Sequence, residues 1–362
     1  MTKLRRPLGI AARGWKLWLA VLVAVTLVSC RAIGFYGQAI QGQLSILWNR
    51  EPIEELLNRP DTPPGLRDKL ETVMAIREFA ERELFLPVAG QYLGYVHLDR
   101  PHVVWNVFAA QEFSVKPLNW CYPVAGCASY QGYFSEAGAG SFASTLQNKG
   151  YDVYIGGVDA YSTLGWFDDA VLSTVIERSD HGLAALIFHE LAHQLVYAPG
   201  DTTFNESFAT LVEREGVRRW LQARGEPGVV LEIELNSIRQ KQFVDLVTRY
   251  RDRFAALYES GADMATLRRE KLHLQKAMRA EYRSLKATQW NGYKGYDRWF
   301  AGPLNNAQLA TVTSYNDLVP GFEALLAGGD GDLSRFYEEV VKLARRGKEQ
   351  RRLELRGSLT AF

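Results

Sequence analysis

Hydrophobic and polar positions divide the chain into an early mixed region and a long helical remainder. From Leu66 onward, Leu70, Val73, Met74, Ile76 and Phe79 recur at helical spacing, which predicts an amphipathic helix ending near Leu86-Pro87. Val103 to Phe108 and Tyr151 to Gly156 are rich in β-branched and aromatic residues and read as strands. Phe142 to Gln147 reads as a helix closed by Lys149-Gly150. After that the pattern predicts helices at about 168–178, 181–197, 204–223, 236–259, 263–287 and 331–346. The pair from Asn236 to Ala287, broken at Ser260-Gly261, predicts an antiparallel helical hairpin. The fold class expected is α+β, a small early sheet followed by helices, as one domain over 30–362 or as two joined lobes at 30–179 and 180–362.

The first 29 residues read as an address rather than as fold. Arg5, Arg6, Arg13 and Lys16 precede an apolar run from Leu17 to Val28, and Leu27-Val28-Ser29-Cys30 resembles a bacterial lipobox. Fourteen residues separate Lys16 from Arg31, short of the roughly 20 that a spanning helix needs. The expectation is a cleaved signal peptide over 1–29 and a lipid on Cys30 that holds the protein to a membrane on the periplasmic side. Arg31 is not the acidic residue that retains lipoproteins at the inner membrane, so the outer membrane is the expected location. Cys121 and Cys127 are the two remaining cysteines. An oxidising compartment favours their pairing, with Pro123 and Gly126 supplying a turn between them.

Composition narrows the search for function to a site. A hydrophobic content of 47% supports a substantial core, and a net charge of +1 leaves no field to draw nucleic acid. The basic run from Arg345 to Arg356 therefore reads as a solvated face.

The chemistry concentrates in Phe188-His189-Glu190-Leu191-Ala192-His193. Two histidines four apart stand one above the other on a single helix face, where both reach one metal ion. Glu190 follows the first of them directly, the position of a general base beside a water activated by zinc. The flanks suit a buried helix, with Asp180 as a cap at its start and Pro199-Gly200 at its end. A catalytic zinc site takes three protein ligands and leaves one position open. Glu206 is the first candidate for the third ligand, and Glu213, on the same face seven residues later, is the second. Thr203-Phe204-Asn205-Glu206 also reads as a capping box, in which Glu206 would merely bond a backbone N–H.

Several longer strings support a specific resemblance. Phe188 to Gln194 followed by Phe204 to Thr210 resembles the gluzincin signature as it occurs in a bacterial lipoprotein family of predicted zinc aminopeptidases. Cys121 to Cys127 with Tyr130 to Phe134, Gly156 to Phe167, Asn305-Asn306 and Tyr315 to Pro320 extend the resemblance over nearly all of the chain after Cys30. The resemblance implies one zinc per chain, His189, His193 and Glu206 as its ligands, Glu190 as base, and a peptide as substrate. This chain departs from better-known gluzincins in having only twelve residues between His193 and Glu206 and in lacking the Gly-x-Met-Glu-Asn element that binds a free amino group in classical aminopeptidases.

In the gluzincin arrangement a sheet edge lines the cleft. Here that edge is expected to run from Tyr151 to about Val158 and on through Tyr161 and Trp166, where it could pair with substrate backbone or serve as an ordinary edge strand. Asp159, with Glu136 behind it, is the candidate carboxylate for a substrate ammonium, and both also suit turn or surface positions. Tyr315 is the candidate donor to the developing oxyanion. His97, His102, His181 and His273 lack partners at ligand spacing. Two other functions share these residues: a zinc-binding scaffold lipoprotein that has lost turnover, and hydrolysis of a non-peptide amide.

Overall fold

A computed structural model describes residues 34–122, 126–160, 168–312 and 318–357. The leader over 1–29, Cys30, Tyr161, Trp166 and Tyr315 lie outside the described residues. The chain forms two units, Met1–Asn49 and Arg50–Phe362. In the first, residues 34–48 form helix α1. No helix among the described residues is long and apolar enough to cross a membrane.

The second unit begins with strand β1 (Glu51–Pro52), helix α2 (Ile53–Asn58) and the predicted amphipathic helix, α3 (Pro64–Leu84). Pro64 opens α3, where its missing N–H costs nothing, and Leu70, Val73, Ile76 and Ala80 bury one face. Strands β2 (Gly94–Val96) and β3 (Val104–Gln111) follow, then a hairpin of β4 (Trp120–Tyr122) and β5 (Gly126–Ala128), then β6 (Tyr130–Tyr133). Cys121 and Cys127 face each other across that hairpin and are joined by a disulfide. Helix α4 (Glu136–Gln147) starts on the side-chain cap of Ser135 and leads through Gly150, at φ 82°, into β7 (Tyr151–Val158).

The main sheet is antiparallel with order β6-β3-β7. Alternation in β3 turns Trp105, Val107 and Ala109 inward, onto Ala139, Ala143 and Leu146 of α4. A second small sheet has order β1-β2-β8, where β8 (Val171–Leu172) runs parallel to β2. This corrects the helix expected over 168–178: only α5 (Ser173–Ile176) is helical there. Val171 and Leu172 gain a pairing edge on β2 that outweighs their local helical spacing.

Helices α6 (Asp180–Leu195) and α7 (Thr202–Arg224) pack on each other, with α3 against both. The lobe boundary expected at 179/180 is therefore crossed by core packing. Helix α8 (Pro227–Tyr258) starts nine residues earlier than the sequence pattern suggests, because Pro227 occupies the first turn instead of breaking it. It forms the expected hairpin with α9 (Met264–Thr288) through Gly261, at φ 74°. Phe243, Tyr250 and Phe254 of α8, Met278 and Tyr282 of α9, and Trp290 build a core between the two helices.

The short helices α10 (Asp297–Ala301) and α11 (Asn306–Leu309) return to the sheet. Asn305 donates to the Val153 carbonyl of β7 at 3.0 Å, while buried Asn306 bonds the carbonyls of Gln111 and Glu112. The Asn305-Asn306 pair thus ties the helical part to the sheet. Helices α12 (Val319–Ala327), α13 (Leu333–Ala344) and α14 (Lys348–Gly357) close the unit, and α12 packs on α7.

Candidate metal centre

Helix α6, which carries both histidines, buries one face against α3 and α7. Leu183, Ala184, Ile187, Phe188, Leu191 and Ala192 supply its apolar surface. Its cap is Ser179, whose hydroxyl accepts from the N–H of Gly182 at 3.2 Å; Asp180, the expected cap, lies one residue inside and pairs with Lys69 at 2.8 Å. At Gly216 of α7 an added Cβ would lie 2.7 Å from the Phe188 ring and 2.8 Å from Leu84. The missing side chain lets α7 approach close behind the first histidine.

The short connection between α6 and α7 is held by two buried polar groups. Asn205, 2% exposed, accepts from the Ala198 N–H at 2.8 Å and donates to the Ala198 carbonyl at 3.0 Å. Asp201, fully buried, caps α7 and pairs with Arg351 of α14 at 2.9 Å. The capping box expected around Thr203 is replaced by this Asp201 cap, which leaves the Glu206 side chain for other work.

That side chain faces the histidines. One Glu206 oxygen lies 3.3 Å from His189 Nε2 and the other 3.7 Å from His193 Nε2. Donor atoms of the three residues lie within 4.8 Å of one another, and among the described residues they are the group of this kind that could hold a metal. Tetrahedral zinc with ligand bonds of about 2.0–2.2 Å places its donors roughly 3.3–3.6 Å apart. Two imidazoles and a carboxylate are a donor set that zinc takes, and the Glu206 spacings of 3.3 and 3.7 Å are close to that range.

Glu213, the alternative third ligand, occupies a different place. Its carboxylate accepts from His189 Nδ1 at 3.0 Å, on the far side of the ring from Glu206. This is the position of a carboxylate that fixes a ligand histidine's tautomer and leaves Nε2 for the metal.

The charges respond to this crowding. Burial opposes protonation of His189, but hydrogen bonds to Glu206 and Glu213 outweigh it and raise its pKa to about 10. Burial pushes the His193 pKa down to about 4, helped by the neighbouring His189 charge. Burial also works against the Glu206 charge, yet the bond from His189 and both imidazoles lower its pKa. Nδ1 of His193 is buried without a hydrogen-bond partner among the described residues.

Glu190 borders a cavity of about 20 Å³, room for about one water. Tyr92, Asp169 and Ala160 border it too. Tyr92 is buried at φ 56°, with its N–H bonded to the Asp169 carbonyl at 2.7 Å. Burial, and then the charges of Glu190 and Asp169, push its hydroxyl pKa well up. Sequence reading missed Tyr92 and Asp169, since no spacing links them to the histidine helix.

Other expected site residues lie differently. Asp159 is bonded to His102 Nδ1 at 2.5 Å and stands 4.0 Å from Arg178, so an incoming ammonium would meet a carboxylate already shared with two bases. Glu136 is an exposed residue opening α4. His97 pairs with Asp99, His181 with the Ser179 hydroxyl, and His273 with Glu270. Strand β7 is at the edge of its sheet, as expected, and Asn305 covers the Val153 carbonyl on that strand.

Comparisons with known proteins extend beyond this geometry. No curated protein and no solved structure matches the chain. Residues 34–355 match the family described as "Putative aminopeptidase", which covers the metal-ligand candidates and every described helix from α1 to α13, and the chain belongs to that family.

Proposed function

We propose that the chain is a zinc-dependent peptidase that removes residues from the free amino end of peptides, with Glu190 as general base. Membership of the aminopeptidase family supports the peptide substrate and the exopeptidase preference. The observation that carries the zinc reading is the convergence of the Glu206 carboxylate on Nε2 of His189 and Nε2 of His193 at 3.3 and 3.7 Å.

His189, His193 and Glu206 would hold the ion, which when bound supplies a Lewis acid that makes water nucleophilic near neutral pH and polarises the scissile carbonyl. Glu213 keeps the His189 ring turned with Nε2 toward Glu206. Glu190, one residue along α6 from the first ligand, takes the proton of the attacking water and delivers it to the leaving nitrogen. The buried apolar surroundings of α6 strengthen the electrostatic interactions on which these roles depend.

The lipobox at Leu27 to Cys30 supports a companion proposal, that the enzyme works at the periplasmic side of a membrane, anchored through Cys30. For the catalytic reading, the test is Glu190→Gln. The amide keeps the shape and cannot accept a proton, so zinc should stay at the wild-type level while hydrolysis of unblocked peptides disappears. Parallel loss of zinc and hydrolysis would make Glu190 structural, and hydrolysis at the wild-type rate would remove it from the mechanism.

A further inference from the structure

Beside the candidate metal centre lies a much larger space. A cavity of about 740 Å³ opens between α7, α8, the segment after α9, and α12. That volume suits a ligand of several residues. It is linked to the metal centre through Glu213, whose carboxylate is part of the cavity wall and accepts from His189 Nδ1 behind the ring, while His189, Glu190, His193 and Glu206 themselves lie outside that wall.

The wall has a defined chemistry. Four carboxylates line it, Glu213, Glu215, Glu234 and Glu323, against two guanidiniums, Arg214 and Arg218. Both cations are engaged within the wall: Arg218 bonds Glu215 at 2.7 Å and Arg214 lies 3.8 Å from Glu323. Glu215 is further bonded by Arg219, and Glu213 by His189. Glu234, exposed at the α8 side, has no ion pair or hydrogen bond among the described residues. Between these charges, Val217, Leu221, Ile233 and Leu326 offer apolar surface. An acidic group at the rim above an apolar wall suits a long side chain with a methylene stem and a cationic head.

Resting on the peptidase reading, we infer that this cavity takes a stretch of the peptide substrate carrying a lysine or arginine, whose charge meets Glu234. The chemistry favours basic peptides over acidic ones, because an acidic side chain would meet the unpaired carboxylate and find both arginines occupied. The preference weakens as salt rises, since Glu234 is at the surface.

The experiment uses the zinc-loaded full chain and tetra-alanine peptides in which one position at a time is Lys or Glu. At one position Lys should exceed Glu in kcat/KM by about fivefold, the upper range for a single exposed ion pair. In Glu234→Lys the ratio should fall below about twofold, by the same reasoning. Equal rates at every position, or a Lys preference that survives Glu234→Lys, would overturn the inference. A binding arm separates it from the peptidase reading: zinc-loaded Glu190→Gln titrated with the same peptides should hold the Lys form more tightly than the Glu form, and adding Glu234→Lys should erase the difference. If wild type hydrolyses none of the peptides the peptidase reading falls, whereas equal affinities in the binding arm overturn the cavity assignment alone.

Discussion

The carboxylate of Glu213 lies 3.0 Å from Nδ1 of His189, while that of Glu206 lies 3.3 Å from Nε2 of the same ring. One imidazole is thus held between two glutamates of α7, one placed to share a metal with it and the other to orient it. The two carboxylates should answer differently to mutation. Glu206→Ala removes the proposed third ligand and should abolish stoichiometric zinc binding. Glu213→Ala should weaken zinc about 10–100-fold, the usual effect of deleting a partner behind a ligand histidine. Zinc titration against a competing chelator measures both, and the reverse order would make Glu213 the third ligand.

Closeness of α6 and α7 makes a second expectation. Gly216→Ala drives a methyl against the Phe188 ring and Leu84, 2.7 and 2.8 Å away, and neither belongs to a flexible surface chain. Overpacking of this kind costs about 1–3 kcal/mol. Urea unfolding should report the loss, together with weaker zinc binding as α7 is displaced. An unchanged midpoint would mean that the helices separate without cost.

Asn205 is expected to matter for stability as much as for the site. Its replacement by Ala strands the buried N–H of Ala198, at about 1–3 kcal/mol, while the Ala198 carbonyl keeps the Asp201 N–H at 3.2 Å. Unfolding midpoints of Asn205→Ala and Asn205→Asp should both fall, the latter because a carboxylate cannot donate to the Ala198 carbonyl. A midpoint equal to wild type in both would show that the loop does not need the bonds.

Arg351→Met leaves the buried Asp201 carboxylate with Lys348, 3.9 Å away, as its remaining charged partner and should destabilise the chain by at most about 3–5 kcal/mol, the range for breaking a buried pair from one side. Adding Asp201→Asn should recover part of the loss, since the amide still caps α7 and carries no charge. Failure of the second change to recover any stability would place the effect in the packing of Arg351 on Phe204.

How much of this was legible in the sequence follows from where the information lies. Helices α6, α7 and α9 come within two residues of their predicted limits, because their apolar periodicity is long and their caps are local. The histidine pair was equally legible, since four-residue spacing on a helix fixes a shared face. By contrast, β8 is strand only because β2 lies beside it, and Pro227-Gly228 looks like a break until the first turn of α8 is seen. The roles of Glu206 and Glu213 were open because both lie on the face of α7 toward α6, and which side of the His189 ring each meets depends on helix packing. Tyr92 and Asp169 reach Glu190 from segments remote in sequence, with no pattern to announce them.

The address at the N-terminus is tested by mass. Material recovered from membranes should begin at a lipidated Cys30 and show Cys121 and Cys127 two hydrogen atoms lighter than the thiols. An intact leader, or alkylation of Cys121 without prior reduction, would contradict the corresponding part.

The central claim is a zinc ion held by His189, His193 and Glu206, and the most direct test is the metal content of the purified chain beside His193→Ala, measured by elemental analysis after removal of loosely bound ions. One zinc per wild-type chain and almost none in the variant is the expected result. Wild-type protein without zinc, or a variant that keeps it in full, would remove these three residues as a zinc site.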